Sequence, residues 1–123
     1  MGAKEKVVVI GASHKPERYS YKAIQALLNS GHEVIPVNPG LKEVLGLQVV
    51  NSIADIKGSV DTVTLYVGSE RLVQMADEII ALKPKRIIAN PGAESEVMRK
   101  AAEKNGIDYE EACTLVLLST GQF

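Results

Sequence analysis

The chain has 123 residues, about one domain at the usual 100–200 residues per domain, which excludes a cofactor domain joined to a full second catalytic domain. Its 14 basic and 15 acidic side chains give a net charge of −1, so no broad basic footprint draws it to nucleic acid. Apolar residues make up 46% of the chain, which excludes disorder, and with four Tyr, one Phe and no Trp the core is aliphatic and stacking platforms for single strands are missing.

The stretch from Met1 to Lys6 runs into a strand-like segment without a signal-peptide core, and Gly2 lacks the Ser or Thr that a myristoylation motif needs. No apolar run approaches 18 residues, so the expectation is a cytoplasmic protein without a spanning helix. Val7-Val8-Val9-Ile10, ending at Gly11, is a continuous β-branched run, the pattern of a central parallel strand buried on both faces. Tyr21, Ile24, Leu27 and Leu28 then share one helical face, with Gly31 where a helix ends. A strand is predicted at Glu33 to Val37. Asn38 to Leu47 is too short and too punctuated by Gly and Pro for a long helix, so a loop or single turn is expected there.

A weak strand follows at Gln48 to Val50, and Ser52-Ile53-Ala54-Asp55 fits a capping box opening a short helix. Asp61 to Val67 reads as a strand. Leu72, Ala76, Ile79 and Ile80 form the next helical face, with Ser69 as its expected N-cap. Arg86 to Ala89 is another strand. Val97, Met98, Ala101 and Ala102 make a third helical face, stopped by Asn105-Gly106, and a weak strand falls at Ile107 to Tyr109. This alternation predicts an α/β, Rossmann-like doubly wound parallel sheet of five or six strands, order 3-2-1-4-5(-6), with helices on both faces. Residues 1–123 form a single domain in this reading. The apolar Leu115 to Leu118 either packs back on the sheet or offers a homodimer contact.

In an open parallel sheet, ligands bind at the carboxyl ends of the strands, beside strand 1. There the sequence places Gly11-Ala12-Ser13-His14-Lys15-Pro16, then Arg18, Tyr19, Ser20 and Lys22 at the helix start. Gly11 permits close backbone approach, Ser13 offers a hydroxyl, the helix start offers unpaired N–H groups, and Lys15, Arg18 and Lys22 supply positive charge. These are the parts of a phosphate site. They are not the dinucleotide fingerprint, because Ser13 and Pro16 stand where G-x-G-x-x-G needs glycine. Strand 2 ends in Asn38-Pro39, where an NAD enzyme carries an acid for the ribose diol, and Lys42 can reach a phosphate instead.

No catalytic or metal constellation emerges. Cys113 is the sole cysteine, which excludes an intrachain disulfide, and reads as a core residue near a strand end. His14 and His32, 18 positions apart, make no metal-ligand spacing; His14 reads as a loop residue or phosphate donor and His32 as a surface residue. Glu94 and Glu96 are explained by the helix dipole and Asp55 by capping, while Asp61 is expected to orient a neighbouring loop.

Gly11-Ala12-Ser13 with Pro16 and Tyr19, Gly31, Pro36-Val37-Asn38-Pro39, Gly46, Asp61 and Pro91-Gly92-Ala93-Glu94-Ser95 resemble the small single-domain CoA-binding protein family. That family is similar to the CoA-binding domain of the succinyl-CoA synthetase α subunit and of NDP-forming acyl-CoA synthetases. The resemblance spans Lys6 to Cys113. It implies binding of coenzyme A or acyl-CoA through the 3′-phospho-ADP half, with Gly11 to Lys15 and the helix start under the phosphates. Asn38, Pro39 and Lys42 would lie beside the adenosine, Val67 and Gly68 across the crevice, and the pantetheine arm past Asn90, Pro91 and Gly92. The turn Tyr66-Val67-Gly68-Ser69 departs from the Pro- or Arg-rich turn of many members. The phosphohistidine of the synthetase lies outside this domain. The resemblance therefore implies a binding module that is non-catalytic on its own, with a separate ligase partner as the route to catalysis. The other readings are a nucleotide-dependent (NAD-type) oxidoreductase and a regulatory interaction protein with a vestigial site.

Overall fold

The structure, a computed structural model, describes residues 4–123; Met1 to Ala3, including the Gly2 of the myristoylation argument, lie outside the described residues. Five strands form one parallel sheet: β1 (Lys6–Ile10), β2 (Glu33–Val37), β5 (Thr62–Leu65), β6 (Arg86–Ala89) and β7 (Asp108–Glu111). Their order is β2-β1-β5-β6-β7, with β1 paired to β2 and β5 on its two sides. The central position of β1 is what its sequence demands, since Val7, Val8, Val9 and Ile10 are fully buried and a pleated strand sends alternate side chains to opposite faces.

Two hydrophobic clusters follow from that alternation. Val7 and Val9 pack with Ile24 and Leu27 of α1 (Tyr19–Asn29), on the face that also carries α4 (Thr114–Ser119). Val8 and Ile10 join Val63, Leu65, Ile87, Leu72, Ile79, Met98 and Ala102 under α2 (Ser69–Ala81) and α3 (Glu96–Lys104). The predicted doubly wound order is present, but its third strand is corrected to one residue. Val50 makes a single parallel bridge to Val37. Val50 donates to the Pro36 carbonyl at 2.9 Å and accepts from Asn38 at 3.0 Å, while the proline nitrogen on that edge has no proton to extend the ladder.

The expected loop before Val50 contains a hairpin, β3 (Glu43–Val44) and β4 (Leu47–Gln48). Its two-residue turn, Leu45-Gly46, has φ of 50° and 79°, the positive pair that a type I′ turn requires. Ser52 does cap a turn, its Oγ accepting from Ala54 N–H at 3.3 Å, but the helix is a single 3-10 turn, Ile53–Asp55. Ser69 is not an N-cap: it is the first residue of α2, and Gly68 holds the cap position without a side-chain bond.

Helix ends follow the sequence closely. Gly31 (φ 87°) donates to Leu28 O and His32 to Leu27 O, the paired bonds of a Schellman end. Gly106 and Ile107 close α3 in the same way on Glu103 and Ala102. The apolar tail packs back, with Leu117 buried and Leu118 half-buried over the α1 cluster, and leaves Val116 55% exposed. Among the described residues no helix is long and apolar enough to cross a membrane.

Candidate functional site

The carboxyl ends of β1, β2 and β5 open into a cleft of about 660 Å³, within the usual range for a small-molecule site. Gly11, Ala12, Ser13, Lys15, Arg18, Tyr19, Ser20, Asn38, Val67 and Gly68 all line it, so ten of the expected contacts come together. Pro39 instead lines a recess of about 90 Å³, which shares Gly11, Asn38, Val67 and Arg71 with the main cleft. Lys42, Asn90, Pro91 and Gly92 line neither.

The floor of the cleft requires a glycine. A Cβ at Gly11 would stand 2.8 Å from the Tyr66 carbonyl oxygen and 2.8 Å from Val67 Cγ1, and φ is +87°. Both the tight approach of β1 to β5 and the left-handed turn therefore exclude a side chain there. Gly11 and Ala12 donate to the Val37 carbonyl at 3.1 and 3.0 Å, which ties this loop to the end of β2. Asn38 completes the tie: its Nδ2 donates to Ala12 O at 2.8 Å and its Oδ1 accepts from Gly40 N–H at 2.7 Å. Asn51 Nδ2 in turn donates to the carbonyls of Asn38 and Leu41. With both amide atoms engaged on backbone, Asn38 shapes the wall of the cleft.

Positive potential comes from side chains and backbone together. Lys15, Arg18 and Arg71 line the cleft, and none is among the ion pairs of the described residues. Lys22 instead lies over the Tyr19 ring, 5.4 Å from its centroid. No side chain caps the start of α1 or of α2, the two helices that open at the cleft. Their first-turn N–H groups carry the partial positive charge of the helix dipole. Ser13 Oγ accepts from Lys15 N–H at 3.1 Å and keeps its own proton to donate. These donors and cations have the chemistry of an anion site.

Sequence reasoning missed Arg71, Tyr66, Gly40 and Leu41 as cleft residues. Arg71 was legible by the argument that found Lys15 and Arg18, because it sits in the first turn of the helix after a strand that borders the crevice. Tyr66 offered no such signal. Its Oη is buried with no hydrogen-bond partner among the described residues, and burial pushes the phenol up to about 12, so it stays protonated at any ordinary pH.

Asn90, expected beside the pantetheine arm, is bonded on all sides within the fold. It is 2% exposed, donates to Thr64 Oγ1 at 2.6 Å and to Leu65 O at 2.9 Å, and accepts from Thr114 N–H at 2.8 Å. Thr64 and Thr114 share a further bond at 2.7 Å. Glu94 accepts from Gly92 N–H and Glu96 pairs with Arg99, which holds the Glu96 carboxyl below its usual range. Asp61 lies at the opposite end of the sheet, where the Lys6 N–H bond, chiefly, and the Lys85 ion pair at 3.2 Å lower its carboxyl. His14 lines the cleft, and His32 Nδ1 accepts from Glu5 N–H at 3.0 Å. Cys113 is half-buried, and no cluster of three metal-ligating side chains exists among the described residues.

The fold has relatives among known proteins. The chain is 31% identical over 102 residues to the uncharacterised protein YneT of Bacillus subtilis (strain 168), covering 83% of this chain and 76% of that one. A solved structure of an uncharacterised protein superposes with a TM-score of 0.94 at 43% identity, covering 99% and 100% of the two chains. A dinucleotide-forming acetyl-coenzyme A synthetase 1 of Ca. Korarchaeum cryptofilum, solved with phosphate and ADP, shares the fold at TM-score 0.75 and 23% identity, over 88% of this chain and 25% of that one. The model of the CoA binding domain matches residues 5–119, nearly the whole chain, and the protein belongs to that family.

Proposed function

We propose that the cleft binds coenzyme A or acyl-CoA through the 3′-phospho-ADP half and that the chain acts as a binding module, non-catalytic on its own. The observation that carries this reading is the start of α1 at the cleft, without a side-chain cap and flanked by the cations Lys15 and Arg18. A pyrophosphate seated there meets backbone N–H groups, the Ser13 hydroxyl and two positive side chains at once. The family supports the same ligand. The adenosine would sit beside Asn38 and Pro39, with Val67 and Gly68 across from it. The pantetheine arm would leave past the exposed Pro91 and Gly92, with the thiol or acyl end outside the cleft.

An NAD-type ligand fits less well. Asn38 stands where the ribose-gripping acid belongs, and both of its amide atoms are already bonded to backbone. Titration calorimetry with CoA, dephospho-CoA, ADP and NAD tests the reading. Saturable binding of CoA, tighter than that of NAD, is expected; saturation by NAD with none by CoA overturns it.

A further inference from the structure

We propose that Arg71 recognises the 3′-phosphate of the ribose and so sets the preference for CoA over dephospho-CoA. The inference deepens the CoA reading of the cleft and rests on it. Arg71 borders both cavities, the cationic main cleft and the small recess. Besides Gly11, Asn38 and Arg71, the recess is lined by Ile10, Val37, Pro39, Val67 and Met75, an apolar surface against which the edge of a base can pack. The main cleft carries Lys15, Arg18 and the start of α1, suited to the pyrophosphate. In a nucleotide the ribose joins base to pyrophosphate, so a side chain common to both cavities faces the ribose and its substituents.

The chemistry of Arg71 matches that position. A guanidinium grips a phosphate monoester with paired N–H bonds. Arg71 is exposed and has no ion-pair or side-chain hydrogen-bond partner among the described residues, so binding breaks no existing pair. Lys42, the other cation near the end of β2, lies on the rim hairpin and lines neither cavity. The segment after β5 reads Tyr66-Val67-Gly68-Ser69-Glu70 before reaching Arg71, so this arginine is the first cation on that side of the crevice.

Calorimetry on wild type, Arg71→Gln and Lys42→Gln with CoA and dephospho-CoA tests the assignment. Wild type is expected to prefer CoA. Arg71→Gln is expected to lose about tenfold in affinity for CoA and less than about twofold for dephospho-CoA, erasing that preference. Lys42→Gln is expected to keep it. Equal losses for both ligands in Arg71→Gln place the guanidinium elsewhere and overturn the assignment, as does loss of the preference in Lys42→Gln alone. Wild type that binds neither ligand overturns the CoA reading itself, a result distinct from either.

Discussion

The carboxyl rim of the sheet has two halves built on opposite principles. Around β1, β2 and the end of β5, helix starts and cations are left open: α1 and α2 start without side-chain caps, and Lys15, Arg18 and Arg71 line a cleft with no ion-pair partner among the described residues. Around β6 and β7, the equivalent groups are paired. Ser95 Oγ caps α3 by accepting from Met98 N–H at 3.1 Å, and Tyr109 Oη accepts from Ser95 N–H at 3.0 Å. Asn90 satisfies the first N–H of α4 and sews it to Thr64 and Leu65. Two βα junctions stay open and two are closed from within. Helix starts cost little when they face water or a ligand, but a buried start must find partners.

The sealed half should therefore govern stability and the open half affinity. Asn90→Ala strands the Thr114 N–H and a Leu65 carbonyl, and is expected to cost about 3 kcal/mol in denaturant unfolding. Once folded, the variant should bind CoA within about twofold of wild type. A large affinity loss in folded Asn90→Ala would break the division. Gly11→Ala tests the other side. Its Cβ would strike the Tyr66 carbonyl and Val67, costing about 2 kcal/mol and, by forcing the Gly11 loop outward, abolishing CoA binding in calorimetry. Ser95→Ala removes a helix cap and is expected to cost about 1 kcal/mol with affinity unchanged.

Tyr66 belongs to neither half, since it lines the cleft with its hydroxyl buried and with no hydrogen-bond partner among the described residues. Its pKa is about 12 in the folded protein against 10.0 for the free side chain, so folding favours the protonated phenol. The unfolded chain sheds the proton first. The stabilisation is thus fully present below pH 10 and is lost as pH rises from 10 toward 12. Tyr66→Phe is expected to gain roughly 0.5 kcal/mol at neutral pH by removing the stranded hydroxyl, and to flatten that alkaline decline. An unchanged decline in urea midpoints across this range would show that another group causes it.

Much of this was legible in the chain. The buried run Val7 to Ile10 fixed the centre of the sheet, and Gly31 and Asn105-Gly106 marked helix ends because a left-handed residue there has few substitutes. Gly11 to Ser20 could be read as a cleft because the residues that make it are consecutive. Asn90 could not, since its role depends on Thr64 and Thr114, which lie 26 and 24 positions away. The Leu45-Gly46 hairpin escaped for another reason: a leucine at φ 50° defies its own preference, so the turn is imposed by the pairing of β3 and β4. Arg71 stands apart from the consecutive Gly11 to Ser20 run, in the first turn of α2, and only the fold brings it to the same cleft.

The most direct test of the account is a map of backbone amide NMR shifts during titration with CoA. Saturable shifts are expected at Gly11 to Ser20, Asn38 to Leu41 and Tyr66 to Arg71, while the buried lock of Asn90, Ser95 and Thr114 stays still. Shifts centred on Asn90 to Ser95, with the Gly11 loop unmoved, would contradict it.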